Sequence, residues 1–129
     1  MPIKYTVENE GRLVHVIASG RMTNNDLLDY ETAFANDDRI MTGPDVLFEI
    51  KPDSIVTITD NGMLKAIEQK EKLAKKAKSY RCAIVISGRN REIWGLAKLY
   101  KKMNESKSPN VITIVFSDVG VAQKWLGIK

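Results

Sequence analysis

The stretch that decides the fold is "RCAIVISG", residues 81–88. Its five residues from Cys82 to Ile86 carry no charge, and three of them are β-branched. A run of this kind suits a parallel strand covered on both faces, or on one face by the chain's own helices and on the other by a partner. Gly88 permits a tight turn, and "REIWGLAKLYKKMNE" (91–105) then carries Ile93, Leu96, Ala97, Tyr100 and Met103 at helical spacing. The unit is a strand feeding a helix.

Working outward, the same alternation continues in both directions. "DVLFEI" supplies a strand from about Asp45 to Ile50. "NGMLKAIEQKEKLAKKAKS" (61–79) follows as a helix whose stripe runs through Met63, Ala66, Ile67, Lys70, Leu73, Ala74 and Ala77. Upstream, "KYTVE" and "LVHVIASG" flank the short polar loop "NEGR" and read as a β-hairpin. "TNNDLLDYETAFAND" (23–37) is a helix with Thr23 as N-cap and Leu27, Leu28, Tyr30, Ala33 and Phe34 at helical spacing. Downstream, "NVITIVFSD" (110–118), preceded by Pro109, is a last strand, and "VGVAQKWLG" (119–127) a closing helix ending at Gly127. The order β-β-α-β-α-β-α-β-α predicts an α/β fold: a mostly parallel sheet with right-handed crossovers and an antiparallel N-terminal hairpin at its edge.

Length and composition set the bounds. At 129 residues, 43% hydrophobic and 28% charged, the chain reads as one domain spanning 1–129, large enough for a two-layer core. No apolar run reaches the ~20 residues of a membrane span, and the N-terminus lacks the apolar core of a signal peptide, so the expectation is a cytoplasmic protein. One cysteine, Cys82, and one histidine, His15, supply neither a disulfide nor a metal cluster; no metal and no cofactor are implied, and both read as packed strand residues. The net charge of +4 hides an asymmetry: residues 1–64 hold five Lys/Arg against eleven Asp/Glu, and residues 65–129 fifteen against five. The basic stretch "KLAKKAKSYR" (72–81) has its lysines mostly off the apolar stripe and only Tyr80 as an interleaved aromatic, which reads as a solvated helix face rather than a nucleic-acid site, with an anionic membrane surface as the remaining alternative.

Several of these residues together carry a resemblance. "GRMTNNDL" after the second strand, "DVLFEI", the apolar "CAIVI" and the ending "VFSDVGVAQKWL" make the whole chain resemble a SpoIIAA-like member of the STAS superfamily, the sulfate-transporter and anti-sigma-factor-antagonist domain. The resemblance implies a bacterial signalling module that acts through protein partners and is switched by phosphorylation of a serine in the loop after the third strand. Here that loop reads "TDNGML" (59–64): Asp60 and Gly62 match the family's aspartate and glycine, whereas Asn61 stands alone between them and the phosphoacceptor position is missing. Ser54, Thr57 and Thr59 are the nearby hydroxyls and the phosphorylation candidates. SpoIIAA-like proteins are also similar to CRAL-TRIO lipid-binding domains, which implies an apolar ligand as an alternative.

The residues themselves mark two loops at one end of the sheet. Asp60 reads as an N-cap, and Gly62 in the first helical turn as a gap that leaves amides open near the carboxyl edge, where ligands of α/β folds bind. In "SGRNREIW" (87–94), Ser87, Gly88, Arg89 and Arg91 precede or open a helix and form a candidate anion site; Trp94 flanks a pocket near Arg91 or belongs to a dimer surface. The sequence-level expectation is a non-enzymatic regulatory or protein-interaction module whose partner is another protein or a second copy docked on its uncovered sheet face, with a small-ligand binder (anion, nucleotide or lipid) as the alternative. An enzyme using Asp60 or Glu49 as base is the third reading; no catalytic set accompanies them.

Overall fold

The computed structural model describes residues 2–73, 79–108 and 110–128. Strands β1 (Ile3–Glu8) and β2 (Leu13–Ala18) form the hairpin, joined through a 3-10 turn at Asn9–Gly11. The tiny strand β3 (Arg21–Met22) and helix α1 (Asn24–Asn36) follow, then β4 (Asp45–Ile50), a second tiny strand β5 (Ile55–Val56) and α2 (Asp60–Leu73). The chain closes with β6 (Ser79–Ile86), α3 (Arg91–Lys107), β7 (Asn110–Phe116) and α4 (Val119–Leu126). Among the described residues the main sheet has order β1-β2-β4-β6-β7, with β1 antiparallel at one edge and the other pairs parallel. The hairpin edge, the parallel pairing of the other strands and the cover of residues 82–86 on both faces are as the sequence reading expects.

The helix starts follow from local chemistry. Thr23 closes a capping box: its hydroxyl accepts from the Asp26 amide at 3.3 Å, and its own amide donates to Asp26 Oδ2 at 2.8 Å. Asn90 caps α3 by accepting from the Ile93 amide, and Asp118 caps α4 by accepting from that of Val121. Two features were missed. The pair β3–β5 forms its own parallel two-stranded sheet, too short to leave a periodic pattern. Asp60 is not the cap of α2 but its first helical residue; Thr59 caps instead, its hydroxyl accepting from the Gly62 amide at 3.1 Å and its carbonyl from that of Met63 at 2.9 Å.

The sheet is covered unequally. Helices α1, α2 and α3 bury one face, where Val14, Val16, Val46, Cys82, Ile84 and Ile86 meet Leu27, Phe34, Met63, Ile67 and Ile93. Among the described residues the other face carries α4 alone, with Ala122 and Leu126 over Leu47, Ala83 and Val85. Val121 is 54% exposed: it lies one position from Ala122, about 100° round the helix, and so turns away from the sheet. Arg81 holds the end of α4. Its guanidinium grips the Asp45 carboxylate at 2.8 and 2.9 Å, donates to the Trp125 and Leu126 carbonyls, and lies 5.5 Å from the Trp125 ring. The Trp125 indole in turn stacks, tilted, against Phe116.

In α1 the buried residues are Leu27, Tyr30, Glu31, Phe34 and Ala35, with Ala33 exposed. The stripe of α2 is apolar at Met63, Ala66 and Ile67 and then meets the buried Lys70. Ala74, Ala77 and Lys75, Lys76 and Lys78 lie outside the described residues, as does Pro109.

Candidate functional site

The loop from Lys51 to Asp60 runs from β4 to α2 and is tied down along its length. Ser54 is 5% exposed, and its hydroxyl donates to the Ala18 carbonyl at 3.2 Å. Thr57 is exposed and donates to the Met22 carbonyl at 3.1 Å. Thr59, also exposed, is clamped by Asn24: its amide donates to Asn24 Oδ1 at 2.9 Å, and its hydroxyl accepts from Asn24 Nδ2 at 3.1 Å. The same Asn24 amide group explains Gly62, since a Cβ there would lie 2.1 Å from Asn24 Cγ and Oδ1. The reading of Gly62 as an open-amide position is therefore corrected. Its N–H is taken by Thr59, and the missing side chain makes room for Asn24. Asp60 and Asn61 are exposed on the first turn of α2.

The second loop leaves the same edge of the sheet, because Ile50 and Ile86 are register partners at the ends of β4 and β6. Ser87, Gly88, Arg89 and Arg91 are all exposed. Among the described residues, neither arginine enters an ion pair. Trp94 is half-buried and lines a groove with Lys98, Lys101, Lys102, Glu105, Ile114 and Val115 between α3 and β7.

Beneath the two loops lies a cavity of about 60 Å³ whose wall is wholly apolar. The small sheet contributes Met22 and Val56, α2 Met63, and α3 Ile93, Leu96 and Tyr100. A space with no polar lining holds no water securely and favours apolar matter. Two of its walls are methionines, unbranched side chains that repack readily.

Sequence reasoning missed a buried polar cluster behind that cavity. Lys70 is 0% and Glu31 1% exposed. The Lys70 ammonium donates to the Tyr80 hydroxyl and to Asn104 Oδ1 and lies 3.6 Å from Glu31 Oε2, which also accepts from the Tyr100 hydroxyl at 2.9 Å. Burial works against the charged form of Lys70, but the Glu31 carboxylate and the Tyr80 hydroxyl outweigh it and hold the amine above the ordinary lysine range. Burial pushes the Glu31 carboxyl up, with Lys70 and Tyr100 pulling the other way. We take the pair as charged, because a neutral amine would give up its attraction to the carboxylate beside it while remaining in the same acceptor-lined pocket. The one legible signal was Lys70 on an otherwise apolar stripe. Burial also pushes the Cys82 thiol up to about 12, the behaviour of an inert core cysteine.

On the opposite face, His15 stands between two carboxylates, Nε2 against Glu49 and Nδ1 3.5 Å from Glu8. Because the two acids address opposite ring nitrogens, they do not converge on one point. No group of three or more His, Cys, Asp or Glu among the described residues could hold a metal ion, and no helix there is long and apolar enough to cross a membrane.

No family model matches the chain, and no curated protein does. Among solved structures the chain is similar to the crystal structure of an uncharacterized protein of the DUF3478 family with a SpoIIAA-like fold from Shewanella loihica PV-4. The two are 16% identical with a TM-score of 0.57, over 96% of this chain and 91% of that one. At that identity the likeness speaks for architecture, and together with the mixed sheet and its four helices it shows that the chain has a SpoIIAA-like fold.

Proposed function

We propose that this protein is a non-enzymatic regulatory module of STAS type that works by protein contact, pairing with a second copy through its half-covered sheet face. The observation that carries this reading is the unequal cover. Among the described residues three helices pack on one face and α4 alone on the other, leaving Ile17 38% and Ile112 51% exposed on strands either side of α4. Such residues on a sheet face gain free energy when a partner covers them. Native mass spectrometry and sedimentation at micromolar concentration test it: the expected species has twice the chain mass, and Ile17→Glu converts it to monomer. A wild-type chain that stays monomeric at 100-fold higher concentration sinks the reading.

A second reading, a small-ligand binder, is favoured by the cavity beneath the two carboxyl-edge loops. Ligands that occupy it stabilise the folded state. Thermal-shift measurements with 1-hexanol, octanoate, adenosine monophosphate and inorganic phosphate are expected to show a rise for the apolar probes that Ala97→Phe, which fills the cavity, abolishes. No shift with any of the four removes this reading.

A further inference from the structure

We propose that the free edge of β7, with the groove between it and α3, takes an extended acidic peptide as an added strand. The lysine-bearing wall of the groove is α3, on the side of the sheet opposite Ile17 and Ile112, and none of its lining residues is one named for self-association.

Among the described residues strand β7 ends the sheet, so one row of its backbone groups has no partner strand there. Which groups these are follows from two contacts. The Thr113 amide donates to Glu105 Oε2 at 3.0 Å, and the Val111 amide to the Ser108 carbonyl at 2.9 Å; neither points at β6. By the two-residue alternation of a strand, Val115 presents its N–H the same way. Glu105 thus occupies, from α3, the place where the carbonyl of an incoming strand would sit.

The groove beside that edge has a definite chemistry. Its volume is about 500 Å³, and its wall combines Trp94, Ile114 and Val115 with Lys98, Lys101, Lys102 and the single acid Glu105. Lys101 is engaged with Glu105 at 2.8 and 2.9 Å, and Lys98 and Lys102 are exposed. A second copy docking edge to edge would bring six lysines together, which is repulsive. A strand carrying its own carboxylates can instead exchange for Glu105: its backbone carbonyl accepts from the Thr113 amide, its carboxylates meet the lysines, and alternate aliphatic side chains cover Trp94 and Val115. Main-chain pairing of this kind supplies affinity while alternate side chains supply selectivity. Glu105 and the lysines blunt the edge against neutral or basic strands and leave it open to acidic ones.

The test is fluorescence anisotropy on the full chain with a labelled nine-residue peptide alternating glutamate and valine. Saturable binding is expected, with the lysine-for-glutamate peptide at least about tenfold weaker. Lys98→Ala with Lys102→Ala, both exposed, should weaken it about tenfold, and Glu105→Ala should tighten it by removing the internal competitor. Hydrogen exchange read by NMR should show the Val115 amide slowed on binding. Absence of saturable binding to both the wild type and Glu105→Ala overturns the proposal. So does equal binding of the lysine peptide or of an oligothymidylate, or an unchanged Val115 amide in the bound state.

Discussion

Asn24 and Gly62 share one small volume: the Asn24 amide group fills the space where any side chain at position 62 would begin, 2.1 Å from an ideal Cβ. Through Thr59 this pairing joins the start of α1 to the start of α2, so two capped helix ends and the loop between β4 and α2 are set by a single side chain.

Gly62→Ala is the first consequence. Within an exposed helix this change stabilises by about 1 kcal/mol; here the contact with Asn24 reverses the sign, and a loss of about 1–3 kcal/mol is expected in urea unfolding. Asn24→Ala should cost about 1–2 kcal/mol through its two lost hydrogen bonds. The double variant should be less destabilised than the two singles added together, because removing the Asn24 amide removes the clash. Strict additivity would show that the two positions do not compete.

Lys70 and Glu31 form a buried pair in which neither residue can lose its partner cheaply. Lys70→Met leaves the Glu31 carboxylate without its countercharge and should destabilise by about 3–5 kcal/mol. Combining it with Glu31→Gln should recover part of that loss. Equal stability of Lys70→Met and the double variant, by the same urea measurement, would mean that Glu31 is uncharged in the fold.

The acid limb of stability has identifiable sources. Burial raises the Glu105 carboxyl, but Lys101 and the Thr113 amide outweigh it and leave the group below the ordinary glutamate range. Asp37 is held low chiefly by Arg39, with Tyr5 also donating to it. A carboxyl lowered by folding contributes stability that is complete above its unfolded value, 4.5 for Glu105 and 3.8 for Asp37, and is lost as pH falls towards the folded value. Unfolding free energy should therefore decline from about pH 4.5 downward, and Glu105→Gln should flatten that decline. An unchanged slope between pH 4.5 and 3 in the variant, by urea titration at each pH, would remove Glu105 from the account.

Cys82 is buried in β6 with its thiol pushed up to about 12. At pH 8 a thiol-specific disulfide reagent should not label it in the folded chain, and the labelling rate in increasing urea should follow global unfolding. Rapid labelling without denaturant would mean that β6 opens locally.

The run Cys82–Ile86, the capping residue Thr23 and the alternation of strand and helix stand in the sequence because each rests on neighbours within a few positions: periodicity, capping and turn chemistry are local. From those came the order of elements, the antiparallel hairpin and the SpoIIAA-like architecture. Position 60 was misjudged for the same reason. An aspartate near a helix start is locally as good a cap as the threonine before it, and Asn24, thirty-five residues upstream of Thr59, decides between them. Only the tertiary structure could bring together Glu31, Lys70, Tyr80, Tyr100 and Asn104 from four elements, line a cavity with α2, α3 and the small sheet, or leave one sheet face with a single helix. Their sequence separations carry no periodic signal, since the free energy that assembles them is that of packing and buried charge rather than of any local pattern.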